Sequence, residues 1–352
     1  MMRKRIAIAI VLIIIMGVLG PMGCRPETTT PVEGPEEEEP KIRIGITFDT
    51  FVVERWIRDR DMFVHTAQGL GAEVDVQNAN GNLERQIEQI EEFIHKEKDV
   101  IVIVAVDCYG LESVVERARN ANIPVISYDR LIQNAMVDLY ITVDSELVGE
   151  AMARLLLERL PDGGRVAMIT GPVTDANSRL MADGFQGYLR GNRQGIVIVD
   201  LIAAPAWTSE YGFQLANEIL DRHPTLVALM CGNDGLAGFA IQALIQRQLA
   251  GEVIVAGQDA DVEACQRIVE GTQTMTVYRP IEALAVQAAH YAVRLALGDE
   301  LEEITEYREN LVGRIPFVGL TPTAVTIENI EEVILDTGFH LREDVFRNVE
   351  LQ

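Results

Sequence analysis

The chain has 352 residues, a length that suits two domains of about 100–200 residues each better than a single core. Its formal net charge of −24 argues against a nucleic-acid partner, because a protein that binds DNA or RNA needs a basic face. The four cysteines have neither C-x-x-C nor Cys/His metal spacing, so the sequence predicts no metal site.

Residues 1–23 have the layout of a secretory signal, in which a basic segment precedes the apolar run Ile6–Gly20. This run is shorter than the roughly 20 residues that a membrane span needs. The letters G-P-M-G-C that follow resemble a bacterial lipobox, although Pro21 stands where that pattern prefers Leu, and they predict lipidation of Cys24. Ordinary cleavage and a retained anchor stay open as alternatives. Residues 24–40 are rich in Pro and Glu and predict a disordered tether, which places the folded part outside the cytoplasmic membrane.

Strands and helices are predicted to alternate through the first half of the folded chain. The continuous apolar run Asp99–Val106 is typical of a parallel strand that is covered on both faces. The predicted strands are Lys41–Phe48, Ala72–Val76, Asp99–Val106, Ile123–Arg130 and Leu139–Val143. The predicted helices are Glu54–Leu70, Leu83–His95 and Leu111–Ala121.

The same alternation begins again after residue 164, without obvious residue-level identity to the first half. The predicted strands are Arg165–Thr170, Ile196–Ile202, Leu226–Cys231, Val253–Ala256 and Thr274–Val277. The predicted helices are Asn177–Leu189, Ser209–Leu220, Leu236–Gln248 and Val262–Val269. The chain then continues with a helix, an extended segment and a last helix, which are Ile281–Leu297, Val312–Leu320 and Ile327–Leu335.

These elements predict an α/β fold with two similar doubly wound parallel-sheet lobes. The trailing elements would return the chain to the first lobe and then to the second, so that several segments form the hinge between them. We expect an N-terminal lobe of residues 41–143 and 281–312 and a C-terminal lobe of residues 144–280 and 313–342. Residues 343–352 are expected to form a C-terminal tail.

The sequence lacks the motifs that would indicate an enzyme. A Walker-type phosphate loop, H-E-x-x-H and G-x-S-x-G are missing. Gly69 and Gly71 end a predicted helix instead of opening one, so the dinucleotide-binding fingerprint is missing as well. The sequence therefore predicts neither catalysis nor a cofactor.

Polar and aromatic residues follow the predicted strands at the points where the strands end. The segment Val125–Arg130 is an apolar strand that runs into an Asp–Arg pair, and Met230–Asp234 and Val253–Asp259 have similar polar tips. Ligands of open parallel sheets bind at the carboxyl ends of the strands. Carboxylate, amide and guanidinium groups pair with hydroxyl groups, and an indole ring offers a flat apolar face to a pyranose. We therefore expect these tips to converge on one sugar.

Several of these residues also fit a purely structural interpretation. Asp175 and Asp234 fit helix N-cap or turn positions. Trp56 fits the core face of its helix, whereas Trp207 lies in the polar loop P-A-W-T-S-E, where core packing is less expected.

Seven stretches of the chain together resemble the ribose-type periplasmic binding proteins of bacterial ABC importers, and among these the proteins for D-xylose. Any one stretch is a weak signal, but the combination is specific. The stretches are E-R-W-x-x-D-R-D (Glu54–Asp61), Q-N-A-N-G-N (Gln77–Asn82), Y-D-R (Tyr128–Arg130), N-D (Asn233–Asp234), G-Q-D-A-D (Gly257–Asp261), G-T-Q-T-M-T-V-Y (Gly271–Tyr278) and D-x-G-F-H (Asp336–His340).

The resemblance implies the type I fold of that family, in which two lobes are joined by a three-segment hinge and the sugar lies in the cleft. By matching position it implies that the sugar is held by Arg55, Asp129, Arg130, Asn177, Asn233, Asp259 and Arg279, between the aromatic walls Trp56 and Trp207. Two departures from the family pattern are visible. Arg279 stands where the pattern has Lys, and T-D-A-N, ending at Asn177, replaces D-N-N-A.

The implied function is capture of a monosaccharide, with D-xylose expected, and its delivery to an ABC permease by a monomer without a cofactor. Two alternatives stay open: the same importer role for ribose or glucose, and a receptor that presents a sugar to a signalling partner. A sugar-responsive transcription regulator would share the fold. The secretion signal, the net charge and the missing helix-turn-helix oppose it.

Overall fold

The computed structural model describes residues 41–53, 55–192 and 195–349. The expected signal segment, Cys24 and the tether lie outside the described residues. The strands are β1 (Arg43–Phe48), β2 (Glu73–Asn78), β3 (Val100–Ile103), β4 (Val125–Tyr128), β5 (Leu139–Val143), β6 (Gly164–Thr170), β7 (Ile196–Ala203), β8 (Leu226–Cys231), β9 (Ile254–Ala256), β10 (Thr276–Tyr278), β11 (Tyr307–Glu309), β12 (Arg314–Leu320) and β13 (Thr323–Val325). The helices are α1 (Arg55–Gly69), α2 (Leu83–His95), α3 (Glu112–Asn120), α4 (Ser145–Arg159), α5 (Ala176–Gly191), α6 (Glu210–Arg222), α7 (Asp234–Gln246), α8 (Val262–Val269), α9 (Ile281–Ala296), the short π-helix Glu331–Leu335 and α10 (Arg342–Val345).

The first sheet has the strand order β11-β12-β5-β4-β3-β1-β2, and its strands are parallel except for β11. A core cluster on one face contains Phe63 of α1 and Leu284 of α9. The cluster on the other face contains Phe93 of α2 and Val115 of α3. Because helices cover both faces, the strands are apolar throughout, as in the fully buried run of β3.

The second sheet has the order β7-β6-β8-β9, and all of these strands are parallel. Helices α6 and α7 contribute to the core on one face, and α4 and α5 to the core on the other. A single bridge between Ala256 and Met275 places β10 beside β9, and β10 pairs antiparallel with β13. The prediction of two doubly wound parallel-sheet lobes is confirmed.

The chain passes between the two lobes three times: from β5 to α4, from β10 to α9 and from β12 to β13. The expected three-segment hinge is therefore confirmed.

One expected lobe boundary is wrong. We placed residues from 313 onward in the C-terminal lobe, but β12 runs parallel to β5 and belongs to the first sheet. The segment R-I-P-F-V-G-L identifies an extended strand but carries no sign of its partner strand. The first lobe therefore extends to Leu320. The expected tail also differs, because α10 packs on α8 and Val345 is buried.

Helix α4, which the sequence analysis did not assign, has a clear physical basis. The carboxylate of Asp144 caps its first turn by accepting hydrogen bonds from the backbone N–H groups of Glu146 and Leu147. Its backbone also lies directly against α5, since a Cβ atom on Gly149 would clash with the carbonyl oxygen of Met181. None of the helices in the described part of the chain is long and apolar enough to cross a membrane.

Candidate functional site

The carboxyl ends of the parallel strands of both lobes face a cavity that contains about 330 Å³ of space outside the protein atoms. All nine residues that the sequence analysis assigned to the ligand line this cavity. Three further lining residues were not assigned. The full lining is Val53, Arg55, Trp56, Asp129, Arg130, Asp175, Asn177, Trp207, Asn233, Gln258, Asp259 and Arg279.

Asp129 lies at the centre of the cavity wall. It follows β4 in a left-handed conformation (φ +63°), which turns the chain sharply out of the strand. Its carboxylate accepts hydrogen bonds from Arg55 Nη2 (3.2 Å), Asn177 Nδ2 (3.2 Å) and Arg279 Nη2. Its backbone oxygen accepts from Thr142 Oγ1 at 2.8 Å. One carboxylate therefore joins groups of the first lobe, the second lobe and the β10–α9 connection.

The same cluster controls the charge of Asp129. Burial alone would raise its pKa, but the guanidinium groups of Arg279 and Arg55 outweigh burial and lower the pKa below the ordinary aspartate value. The carboxylate is therefore ionised at neutral pH and acts only as a hydrogen-bond acceptor.

Arg130 crosses from the first lobe to the second. Its Nη1 atom donates to Asp49 Oδ2 and to the backbone oxygen of Ala105, both at 2.7 Å. Its Nε atom lies 2.8 Å from Asp175 Oδ2 in the second lobe. All three side chains of this ionic cluster are nearly inaccessible to solvent, so the Coulomb attraction is screened little by water.

Arg55 begins α1, and its guanidinium group lies 4.2 Å from the ring centroid of Trp56. Its Nη1 atom is 3.7 Å from Asp259 Oδ1 of the second lobe. Trp56 is only 2% exposed and packs in the first core beside Phe48 while it also lines the cavity. The sequence analysis offered core packing and ligand contact as alternatives for Trp56, and this position combines a core location with a place in the cavity wall.

Asp175 also has two roles. It is the N-cap of α5, where its Oδ1 atom accepts from the backbone N–H of Asn177 at 2.9 Å. Its Oδ2 atom accepts from Trp207 Nε1 at 3.0 Å. The indole of Trp207 lies against the backbone of Gly171 and Gly232, and a Cβ atom on Gly171 would clash with the ring. The N-cap interpretation of Asp175 is right, and the same carboxylate also positions the indole of Trp207 by accepting its hydrogen bond.

Asn233 and Gln258 complete the second-lobe side of the cavity. Asn233 is the N-cap of α7, and its Oδ1 atom accepts from the backbone N–H of Leu236 at 2.9 Å. Gln258 Nε2 donates to the backbone oxygen of Gly232 at 2.6 Å. In each of these two cavity-lining amides, one polar atom makes a hydrogen bond within the protein.

Asp234 does not line this cavity. It is buried behind the cavity wall, where Thr276 Oγ1 (2.6 Å) and Gln273 Nε2 (2.8 Å) donate to its carboxylate. Burial raises the pKa of Asp234 to about 7, although Arg267 and these hydrogen bonds oppose the shift. The interpretation of Asp234 as an N-cap or turn residue is wrong, because Asn233 is the N-cap and Asp234 is the first residue of α7. Its carboxylate instead joins α7 to β10.

The pKa values of two carboxyl groups of the second lobe are shifted in the opposite direction from the pKa of Asp129. Burial raises the pKa of Asp259, and the guanidinium groups of Arg55 and Arg279 reverse only part of that shift. Burial likewise raises the pKa of Asp175 against the opposing charge of Arg130. Burial therefore outweighs the charges of the arginines at Asp175 and Asp259, whereas the arginines outweigh burial at Asp129.

Within the described residues, six buried polar atoms of the cavity-lining side chains have no hydrogen-bond partner in the protein. Four are donors and two are acceptors: Arg55 Nε, Trp56 Nε1, Arg130 Nε, Arg279 Nε, Gln258 Oε1 and Asp259 Oδ1. Two of them, Arg130 Nε and Asp259 Oδ1, have ion-pair contacts instead. A buried polar atom without a partner costs about 1–3 kcal/mol. A ligand whose groups both donate and accept, as hydroxyl groups do, would satisfy atoms of both kinds.

Two residues in or beside the cavity wall, Gln258 and Asp49, were not assigned to the ligand, although their positions after strands could have indicated them. Gln258 directly precedes Asp259 at the tip of β9, and Asp49 follows β1 as the other polar residues follow their strands. Val53 is an apolar loop residue, and nothing in the sequence distinguishes it from other loop positions.

Comparison with known proteins identifies the family of the chain. The model of the periplasmic binding protein domain matches residues 44–300. D-xylose-binding periplasmic proteins from Haemophilus influenzae and Escherichia coli are each 39% identical to the chain, and each alignment covers 87% of it. The alignments cover 92% and 93% of those two proteins.

A solved structure extends the comparison to three dimensions. The carbohydrate transporter solute-binding protein from Chloroflexus aurantiacus, in complex with D-glucose, superimposes with a TM-score of 0.80 at 25% identity. The match covers 87% of this chain and 98% of that protein. The domain match, the two curated relatives and the two-lobed architecture agree, and the chain therefore belongs to the family of periplasmic binding proteins.

Proposed function

We propose that the protein captures D-xylose between its two lobes and delivers it to the permease of an ABC importer. The observation that carries the proposal is the convergence of nine residues, assigned from sequence alone, on one cavity. Two relatives at 39% identity are named for binding D-xylose, which supports this sugar over other monosaccharides.

The chemistry of the cavity suits a pyranose of this size. Asp129 supplies ionised acceptors, the arginines supply donors, and Trp56 and Trp207 supply flat apolar faces for the C–H groups of the ring. A sugar that satisfied the buried donors and acceptors would gain specificity, because an analogue without one hydroxyl would leave a partner unpaired.

Capture follows from the position of the residues on both lobes. A sugar that contacts Arg55 and Asp129 on one lobe and Asn177 and Asp259 on the other binds the closed form better than the open form. It therefore shifts the population toward closure by that difference in affinity. The closed form would then be recognised by the permease. No bond is made or broken in this function, and no cofactor takes part.

We further propose that the chain acts as a monomer outside the cytoplasmic membrane, anchored by a lipid on Cys24. The signal-like segment before Cys24 and the periplasmic location in the names of the relatives support this arrangement. Expression of Cys24→Ser beside the wild type tests the anchor. The variant should move from the membrane to the soluble fraction, and an unchanged membrane fraction would reject lipidation at this residue.

Isothermal titration calorimetry with a sugar panel tests the ligand. We expect heat of binding with D-xylose and weaker binding with D-ribose and D-glucose. NMR spectra should show that D-xylose is chemically unchanged after long incubation with the protein, because the proposed function includes no reaction. Binding of ribose or glucose without binding of xylose would reject the assignment. Xylose uptake by cells that lack the gene separates import from a purely sensory role, because only an import component is required for uptake.

A further inference from the structure

A buried carboxylate, Asp59, lies behind the cavity without lining it. It is four residues after Arg55 on α1, and its Oδ1 atom accepts from Arg55 Nη2 at 3.3 Å. The same oxygen is hydrogen bonded to the hydroxyl group of Tyr128, the last residue of β4. Asp59 and Tyr128 are each only 1% exposed.

This pair connects Arg55 to the part of the backbone that carries Asp129, because Tyr128 directly precedes Asp129. An unrestrained Arg side chain has about 2 kcal/mol of rotamer entropy, which a ligand would have to overcome by ordering it. Arg55 Nη2 instead lies between Asp59 and Asp129, and Nη1 faces Asp259. Two carboxylates of the first lobe, Asp59 and Asp129, thus hold the Nη2 atom, and Asp59 does so from behind the cavity.

The second arginine of the first lobe has a comparable support. Asp49 and the backbone oxygen of Ala105 hold Arg130 Nη1, each at 2.7 Å. Two separate carboxylates therefore restrain two separate guanidinium groups. The loss of one support should leave the other arginine in place.

We propose that Asp59, together with the Tyr128 hydroxyl, is a positioning residue that orders the Arg55 guanidinium group for the sugar before the lobes close. The inference rests on the proposed sugar-binding function. It places part of the affinity in two residues that never touch the ligand, and it predicts that their contribution acts entirely through Arg55.

A double-mutant cycle on the full chain tests this dependence, with affinity for D-xylose measured by NMR titration so that weak binding stays measurable. Asp59→Asn keeps the size of the side chain and removes its charge, and we expect it to weaken binding about tenfold or more. In the Arg55→Ala background the same substitution should change affinity by less than about twofold. An equal loss in both backgrounds, or no loss in the wild-type background, would overturn the proposal.

Two further variants keep the test decisive. Tyr128→Phe removes only the hydroxyl group and should also weaken binding. This effect should likewise vanish in the Arg55→Ala background. The same cycle can therefore be measured with Tyr128→Phe if Asp59→Asn does not fold. Asp61→Asn is the matched control, because Asp61 lies on the same helix, is exposed and pairs with Arg60. It should bind like the wild type. Failure of the wild type itself to bind any sugar would reject the proposed function, whereas normal binding by Asp59→Asn would reject only this inference.

Discussion

At the scale of single residues, the shared carboxylate of Asp129 has the largest expected effect. Its replacement by Asn keeps the shape and tolerates the left-handed backbone, but it removes the charge that Arg55 and Arg279 face. We predict that Asp129→Asn weakens D-xylose binding by at least about 100-fold, or about 2.7 kcal/mol. Calorimetry gives the affinity, and circular dichroism shows whether the fold is retained.

The control for this change is Asp183→Asn, since Asp183 is half exposed on α5 and pairs with Arg179 in the same helix. It should bind normally. Affinity of Asp129→Asn within about tenfold of the wild type would mean that the site lies elsewhere.

The raised pKa of Asp234 predicts how the thermal stability of the protein depends on pH. Its pKa is raised to about 7 in the folded protein, whereas an aspartate in an unfolded chain titrates near 3.9. Between about pH 4 and pH 7 the folded state holds a proton that the unfolded state has lost, so this group's contribution to stability falls as the pH rises through that window. We predict that the thermal midpoint of the wild type falls more from about pH 5 to about pH 8 than that of Asp234→Asn, by a few degrees.

Scanning calorimetry at a series of pH values measures this difference. Equal pH dependence in the wild type and Asp234→Asn would show that Asp234 is ionised throughout. The neighbouring exposed carboxylate Glu263 provides the comparison variant, Glu263→Gln, which should keep the wild-type slope.

The residues also show how far sequence reasoning reaches. The predicted strand tips contained four of the nine assigned cavity residues, because the carboxyl ends of parallel strands meet at one edge of a sheet. The other five were implied by the family resemblance. Asp59 was not assigned to the site, because a supporting carboxylate on a helix looks in sequence like a charge on a solvated helix face. Asp49 was not assigned either, although it follows β1. Their burial depends on tertiary packing, which periodicity does not reveal.

At the scale of elements, the turn between β6 and α5 is shaped around Trp207. Gly171 lies against the indole ring, so a single methyl group there would clash with the ring and displace it from its position in the cavity wall. We predict that Gly171→Ala weakens D-xylose binding by about tenfold and shifts the tryptophan fluorescence, with a smaller effect on stability. Titration and emission spectra of the variant measure both.

Gly191→Ala is the matched control, because Gly191 ends α5 and nothing lies within 4 Å of the position that its Cβ atom would occupy. It should bind and fluoresce like the wild type. Unchanged binding in Gly171→Ala would show that the position of Trp207 is not critical for the ligand.

The short strands that the sequence analysis left out share a physical cause. Strands β11 and β13 have three residues each and are fixed by pairing with distant strands. The partner of β12 depends on where α9 returns the chain, which local pattern does not encode. Helix α4 is different, because its Asp144 cap and its apolar residues were present in the sequence and provided a signal for assignment.

At the scale of the whole molecule, sugar binding and stability are linked. The ligand contacts both lobes only in the folded state, so a sugar concentration of 100 times the Kd should add about 2.7 kcal/mol to the free energy of unfolding. We predict a rise of several degrees in the thermal midpoint with D-xylose, increasing with its concentration. Differential scanning fluorimetry records it. Maltose, which has a second ring beyond the single ring that the cavity is proposed to hold, should leave the midpoint unchanged.

The return of the chain to the first lobe also has a consequence for synthesis. Leu284 and Ala288 of α9 belong to the core beneath β1 and β4, and β12 covers the edge of β5. These segments leave the ribosome only after the whole stretch from β6 to β10. Synthesis of the first lobe therefore begins before that of the second lobe and ends after most of it. Until residue 320 has emerged, the incomplete first lobe exposes apolar surface of the kind that chaperones bind.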